Sequence, residues 1–122
     1  MFDQFKTMGA LAGLMKDRDR LQAAADRVKE RLESTEVTGE AGGGAARAVV
    51  TAAARVVSVH VEPALAVGFG DETSRVMAEG LIAEAVNDGL AKAREAAQRI
   101  VEAEAEELGL GEMLPTLRGL LP

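Results

Sequence analysis

A glycine-rich run at residues 39–44 is the first part of this sequence that suggests chemistry, because backbone N–H groups in such loops can cradle a phosphate. A phosphate-binding loop also needs Lys followed by Ser or Thr directly after its last glycine, and here Gly44 is followed by Ala45 and Ala46. Consecutive glycines equally permit the positive backbone angles of a wide turn between two strands. We therefore interpret this run as a strand turn and not as a nucleotide site.

The titratable side chains do not assemble into a catalytic or metal centre. The sequence has no cysteine and a single histidine, His60, without a second histidine or a carboxylate at metal-ligand spacing. No nucleophile is paired with a base, and the acidic residues fall on predicted solvent faces of helices. We expect a non-enzymatic protein with no cofactor and no metal. We also expect His60 to be a solvated side chain on the outer face of a strand.

Basic residues near the N-terminus are a better candidate for function. The formal net charge is −6, which by itself argues against nucleic-acid binding, since affinity for DNA comes largely from cations placed against phosphates. However, residues 1–34 carry seven basic and six acidic side chains, whereas residues 71–108 carry four basic and ten acidic ones. An anionic partner is therefore expected at the first of these segments and not at the second.

Four of these cations lie on neighbouring turns of a predicted helix, namely Lys16, Arg20, Arg27 and Arg31. Two interpretations remain open. Acidic residues such as Asp17 alternate with the cations, so that the face can be a solvated surface of ion pairs. Alternatively, the four cations form a strip that contacts phosphates.

Hydrophobic periodicity predicts the elements that position these residues. Apolar residues at steps of three and four predict an amphipathic helix ending at residue 34. Gly9 and Gly13 weaken any helix before Leu14, so residues 1–9 are expected to be a frayed lead-in. Alternating apolar residues between 36 and 62 predict a small sheet.

Two strands of this sheet have clear faces. The first of them covers about residues 45–51, with Ala46, Ala48 and Val50 on one side. The next covers about residues 55–62, with Val57, Val59 and Val61 facing inward. The reversal at residues 51–54 lacks the favoured turn residues Asn, Gly and Pro. Pro63 is expected to end the sheet, followed by a loop at residues 64–70.

A second long helix is predicted from Asp71 or Thr73 to about residue 108. Its small residues Gly89, Ala93 and Ala96 suggest close approach of another backbone. The other members of its predicted apolar stripe are Met77, Leu81, Ile82, Ala85, Val86, Leu90, Ala97, Ile100 and Ala103. Its far face, which includes Glu104, is expected to be acidic and solvated.

One α+β domain over residues 1–122 accounts for these elements, with a core at about 11–108 and an apolar tail at 109–122. A chain with so thin a core leaves an apolar face uncovered, so a homodimer is expected. No stretch approaches the roughly 20 apolar residues of a membrane helix, and no export signal begins the chain. A cytoplasmic protein is the expectation.

Several blocks together resemble the signature of the YbaB/EbfC nucleoid-associated proteins. The central block is Glu36-Val37-Thr38-Gly39-Glu40-Ala41-Gly42-Gly43-Gly44, followed by Arg47, Val56, Val59, Val61, Glu62, Pro63 and Leu65. Leu14-Met15-Lys16 precede it, and Leu81-Ile82-Ala83-Glu84-Ala85-Val86-Asn87-Asp88 follow it at the family's order and spacing. The resemblance covers about residues 11–100.

This resemblance implies a helix, a three-stranded antiparallel sheet and a long helix, in homodimers joined through their sheets. It also implies that paired helical arms grip duplex DNA in the bacterial nucleoid with little sequence preference. Phosphate contacts would then fall on the four cations of the first helix, with Arg47 and Arg94 as further DNA-binding candidates. The family's first helix is commonly richer in Lys and Gln than this one, which carries Asp17, Asp19 and Asp26.

A second hypothesis comes from the acidic balance. A dimeric scaffold or adaptor protein would bind a protein partner through the apolar tail at residues 110–121 and would have lost its affinity for DNA together with its positive charge.

Overall fold

The computed structural model describes residues 2–109, with side chains for residues 16–109. The elements are α1 (Phe2–Ser34), β1 (Glu36–Ala41), β2 (Ala46–Thr51), β3 (Val56–Val61), α2 (Pro63–Ala66), a 3₁₀ turn (Val67–Gly70) and α3 (Glu72–Glu107). The strands form one antiparallel sheet in the order β1-β2-β3. The predicted α+β class and element order are therefore confirmed. The tail segment 110–121, proposed as a partner site, lies outside the described residues.

Helix α1 begins earlier than predicted. It runs unbroken from Phe2 through Gly9 and Gly13, so the expected lead-in at residues 1–9 is wrong from Phe2 onward. Each glycine costs only about 1 kcal/mol relative to alanine in a helix. Such a cost does not end a helix whose backbone hydrogen bonds continue on both sides.

Helix α3 begins and ends where the sequence predicts. The Asp71 carboxylate caps its first turn by accepting hydrogen bonds from the Ser74 backbone N–H at 3.1 Å and from the Ser74 hydroxyl at 2.9 Å. After the last helical residue, Gly109 takes a left-handed φ of 73°, as a glycine at a helix C-terminus commonly does. The long helix is thus defined by local signals at both ends.

The core lies between β2 and the middle of α3. Ala46, Ala48 and Val50 are fully buried against Ala85 and Ala93, which confirms that they share one face of β2 and shows that this face points into the core. On α3 the predicted stripe is confirmed at its centre and is wrong at Met77 and Ala103, which are exposed. The sheet covers only the central turns of this long helix, so residues towards its ends meet other surroundings.

Backbone contact between β1 and α3 makes the core thin. A Cβ placed on Gly39 would lie 2.5 Å from the Gly89 Cα, and one placed on Gly89 would lie 2.7 Å from a Val50 methyl. This confirms the prediction that small residues on the long helix mark a close approach. It also corrects the assignment of Gly39, which belongs to β1 and not to the turn.

The two strand turns differ in how they are made. Gly42, Gly43 and Gly44 all take positive φ values, as predicted for a glycine turn. In the β2–β3 turn, Ala54 takes φ 63°, which costs a residue with a Cβ about 1–2 kcal/mol. Thr51 supports that turn, since its carbonyl accepts from the Ala54 N–H at 2.9 Å and its hydroxyl accepts from the Arg55 N–H at 3.3 Å.

Strand β3 and the segment after it differ from the prediction. Val59 and Val61 pair with Ala48 and Ala46 and so lie on the predicted inner face, but Val59 is still 44% exposed and Val57 is 52% exposed, because α3 crosses β1 and β2 and barely reaches β3. A register irregularity beside Val50 marks the start of this strand. Residues 64–70 are not a loop, since Pro63 begins the short helix α2, where its fixed φ is favourable.

We expect the Gly39→Ala substitution to destabilise the fold by about 3 kcal/mol, because the added methyl group would overlap the backbone of α3. Thermal unfolding followed by circular dichroism measures this effect. Gly80→Ala is the matched control, since nothing lies within 4 Å of its Cβ position on α3 and alanine favours the helix. Equal melting temperatures for the two variants would contradict the backbone contact.

Candidate nucleic-acid interface

Helix α1 and the second half of α3 pack side by side beyond the sheet. Val28 and Leu32 of α1 contact a buried cluster made by Ala96, Ala97 and Ile100 of α3 together with Ala52, which follows β2. Later residues of α3 meet earlier residues of α1, as the pairing of Glu104 with Arg27 demonstrates. The two helices therefore form an antiparallel arm rooted at the start of β1.

Four predicted cations line one side of this arm. Lys16, Arg20, Arg27 and Arg31 are all exposed, and they fall within about 60° of one another around the axis of α1 at 3.6 residues per turn. At 1.5 Å per residue they extend over about 22 Å. We call these four residues the basic stripe, and the structure brings them together on one surface.

The end members of the basic stripe are free to contact an anion. Among the described side chains, Lys16 and Arg31 have no ion-pair partner. Arg20 lies 3.8 Å from the Asp17 carboxylate, but both side chains are well exposed. Such a surface pair contributes little and exchanges readily with another anion.

Arg27 is instead held by a buried carboxylate. Its Nε donates to Glu104 Oε1 at 2.8 Å and its Nη2 to the same oxygen at 2.5 Å. Glu104 is only 4% exposed, so its predicted position on the solvated face is wrong. The Arg27 side chain remains 53% exposed, which leaves its outer edge in contact with solvent.

The structure adds one cation that the sequence did not single out. Arg99 of α3 lines the same shallow depression as Arg31, at the root of the arm. It shares no motif with the basic stripe and lies among acidic residues on its own helix. The packing of α3 against α1 is what places it there.

The other two predicted cations lie apart from the basic stripe. Arg47 lies on the sheet face opposite α3, where its Nη2 is 3.1 Å from Glu62 Oε1. Arg94 precedes Arg99 by five residues and therefore points about 140° away around α3. His60 is exposed on the outer face of β3, as predicted, with its Nε2 at 3.7 Å from the same Glu62 oxygen.

The two edge strands of the sheet differ in whether side chains hydrogen-bond to their outer backbone groups. Asp88 accepts a hydrogen bond from the Glu40 N–H at 2.9 Å, and Lys92 donates to the Thr38 carbonyl at 3.2 Å, so side chains of α3 cover the backbone edge of β1. The backbone donor and then Lys92 hold the pKa of the Asp88 carboxyl below its usual value. Among the described side chains, none hydrogen-bonds to the backbone of β3.

The part of the chain that the structure describes has neither a cluster of metal-ligating side chains nor a membrane-spanning helix. The side chains of residues 16–109 include no group of three or more His, Asp or Glu that could hold a metal ion. Over the same residues, neither of the long helices nor any other is apolar enough to cross a membrane.

A helix–sheet–helix protein with a cationic helical arm is thus the class that fold and surface define. The chain belongs to the YbaB/EbfC DNA-binding family, whose model matches residues 8–108. This confirms the resemblance inferred from residues 11–100, and it agrees with a surface whose cations line a helical arm.

Individual relatives agree with this assignment. A nucleoid-associated protein of Maricaulis maris is 39% identical over 103 residues, which cover 84% of this chain and 92% of that protein. A nucleoid-associated protein of Pseudomonas fluorescens is also 39% identical, over 65% of this chain and 70% of its own length. The fold itself is shared with an uncharacterized protein of Helicobacter pylori, with a TM-score of 0.56 at 20% identity over 75% of this chain and 88% of that one.

The pair between Arg27 and Glu104 leads to a prediction about the arm. We expect Glu104→Gln to lower the free energy of unfolding by about 1–2 kcal/mol, because a charge-assisted hydrogen bond is lost. The effect is limited to this range because solvent screens the half-exposed Arg27. Urea unfolding measures the difference. Glu106→Gln removes the same charge from an exposed position two residues away and should leave stability unchanged. An equal loss in both variants would mean that only net charge matters.

Proposed function

We propose that this protein binds duplex DNA as a homodimer, through phosphate contacts with little sequence preference, as a component of the bacterial nucleoid. Membership of a DNA-binding family supports the partner, and the two nucleoid-associated relatives support the location. The observation that carries the proposal is the basic stripe, with four exposed cations along about 22 Å of one helix. Such a row matches the repeating charge of a nucleic-acid backbone.

The chemistry of the stripe favours backbone contacts over base recognition. Lys and Arg side chains bind phosphate oxygens, which fix a protein on the duplex without reading its sequence. The many acidic residues of α3 disfavour DNA along most of that helix, so the contacts are expected mainly along the basic stripe of α1. An overall charge of −6 is therefore compatible with local binding.

Dimerisation is supported by the difference between the sheet edges. The edge of β1 is covered by Asp88 and Lys92, whereas β3 has an open edge with the exposed residues Val57 and Val59. An open, apolar edge strand is a ready site for pairing with a second chain. Two copies meeting there by a twofold axis would make a continuous sheet with one arm on each side.

The open edge leads to a test of the dimer. We expect Val57→Lys to raise the dimer dissociation constant at least about tenfold, because pairing there would bury an unpartnered ammonium group. Light scattering coupled to size-exclusion chromatography reports the change. Leu21→Lys, at an apolar residue of similar exposure on the arm, should leave the dimer intact. Persistence of the dimer in the Val57 variant would place the interface elsewhere.

The stripe leads to a test of DNA binding. We expect the wild-type chain to bind duplex DNA at about 50 mM salt and to lose affinity steeply by about 200 mM. Substituting Lys16 and Arg20 together with Gln should weaken binding about tenfold and reduce the slope of log affinity against log salt by about 0.9 per lost contact. Fluorescence anisotropy with a labelled duplex measures both quantities.

The control for that test keeps the net charge matched. Arg18 and Lys29 lie on the same helix, roughly on the side opposite to the basic stripe, and both are exposed. Substituting this pair with Gln removes the same total charge and should change affinity less than about twofold. No binding by the wild type at low salt would reject the proposed function. Equal losses in both double variants would reject the stripe as the contact surface.

A further inference from the structure

Two arginines from different helices line the same depression at the root of the arm. Arg31 lies in the last turn of α1, and Arg99 lies on the side of α3 that flanks β1. They line one shallow depression of about 350 Å³, together with Thr35, Val37, Ala96 and Ile100. Among the described side chains neither arginine has an ion-pair partner, in contrast to Arg27 beside them.

The surroundings of the two guanidinium groups favour an anion between them. Like charges that share one depression repel each other, and an anion bound by both removes that cost. No carboxylate lines the depression, although the second half of α3 is acidic. Planar guanidinium groups can each donate two parallel hydrogen bonds to phosphate oxygens. Because no carboxylate of the protein neutralises the two guanidinium groups, the site is suited to binding an external phosphate group.

The remaining lining residues suit what is attached to such a phosphate. Val37, Ala96 and Ile100 make an apolar floor that is rigid, because the same residues pack in the cluster joining α1 to α3. A deoxyribose presents carbon atoms that can lie on such a floor. The depression is open at the surface and continuous with the basic stripe through Arg31.

We propose that Arg31 and Arg99 clamp a single phosphodiester group of the DNA backbone from two sides, with its sugar on the apolar floor. This inference rests on the proposed function and deepens it, because it assigns Arg99 a binding role and makes the root of the arm the anchor point of the duplex. The clamp would fix the position of the duplex along the arm, and the other cations of the basic stripe would then add affinity by contacting neighbouring phosphates.

A double-mutant cycle tests the clamp. Full-length wild type, Arg31→Gln, Arg99→Gln and the double variant are titrated with a blunt labelled duplex at about 50 mM salt. Each single variant should bind about tenfold more weakly, and the double variant little more weakly than either, because the two side chains act on one phosphate. Arg18→Gln, at an exposed position of α1 roughly opposite the basic stripe, is the control and should change affinity less than about twofold.

The other outcomes separate the two proposals. A wild type that fails to bind DNA overturns the proposed function and the clamp together. A wild type that binds normally while Arg99→Gln has no effect overturns the clamp alone. Losses that multiply in the double variant show two independent phosphate contacts, which also overturns it.

Two further variants of the experiment sharpen the result. Repeating the titration on duplexes with and without 5′-phosphates distinguishes an internal phosphodiester, which predicts equal affinity, from a terminal phosphate, which predicts binding only to the phosphorylated duplex. Arg99→Lys keeps the charge and should recover only part of the affinity if two parallel hydrogen bonds are required. All these side chains are exposed, and unchanged melting temperatures establish that the variants are folded.

Discussion

The contact between the Gly39 and Gly89 backbones is the constraint on which the rest of the structure depends. With no Cβ on either residue, α3 lies directly on β1, and a buried core made mainly of alanines suffices to fill the space. The same close approach lets Asp88 and Lys92 reach the backbone edge of β1. A larger residue at the crossing would lift the helix and would open both the core and this edge.

The crossing also determines where the arm forms. Because the middle of α3 is fixed on the sheet, its second half extends past the start of β1, where α1 ends. Val37 packs against the buried clusters on both sides of this junction and so couples the sheet to the arm. The pair between Arg27 and Glu104 then holds the two helices farther out. An exposed row of cations is thereby attached to a rigid base, in a protein whose total charge is negative.

Sequence patterns predicted the elements and their order, since each depends on local signals such as the Asp71 cap, the glycine turn and the alternation in β2. They failed where tertiary contacts decide the environment. The charge of Glu104 predicts a solvent-facing position, but Glu104 follows Ile100 by four residues and so lies on the face of α3 that packs against α1, where it is buried. The β2–β3 turn forms without the favoured turn residues, because the Thr51 hydroxyl and carbonyl accept hydrogen bonds that support Ala54 at positive φ.

The sequence predicted only the part of the candidate interface that lies on α1, because the part on α3 depends on tertiary contacts. The four cations on α1 share one helix, so their spacing alone puts them on one side. Arg99 is distant in sequence and surrounded by acidic residues, and only the antiparallel packing of the helices brings it beside Arg31. Arg47 and Arg94 have the same chemistry but lie on other surfaces. The proposed phosphate-binding surface depends on how the two helices pack against each other, and neither charge composition nor helical periodicity reveals that packing.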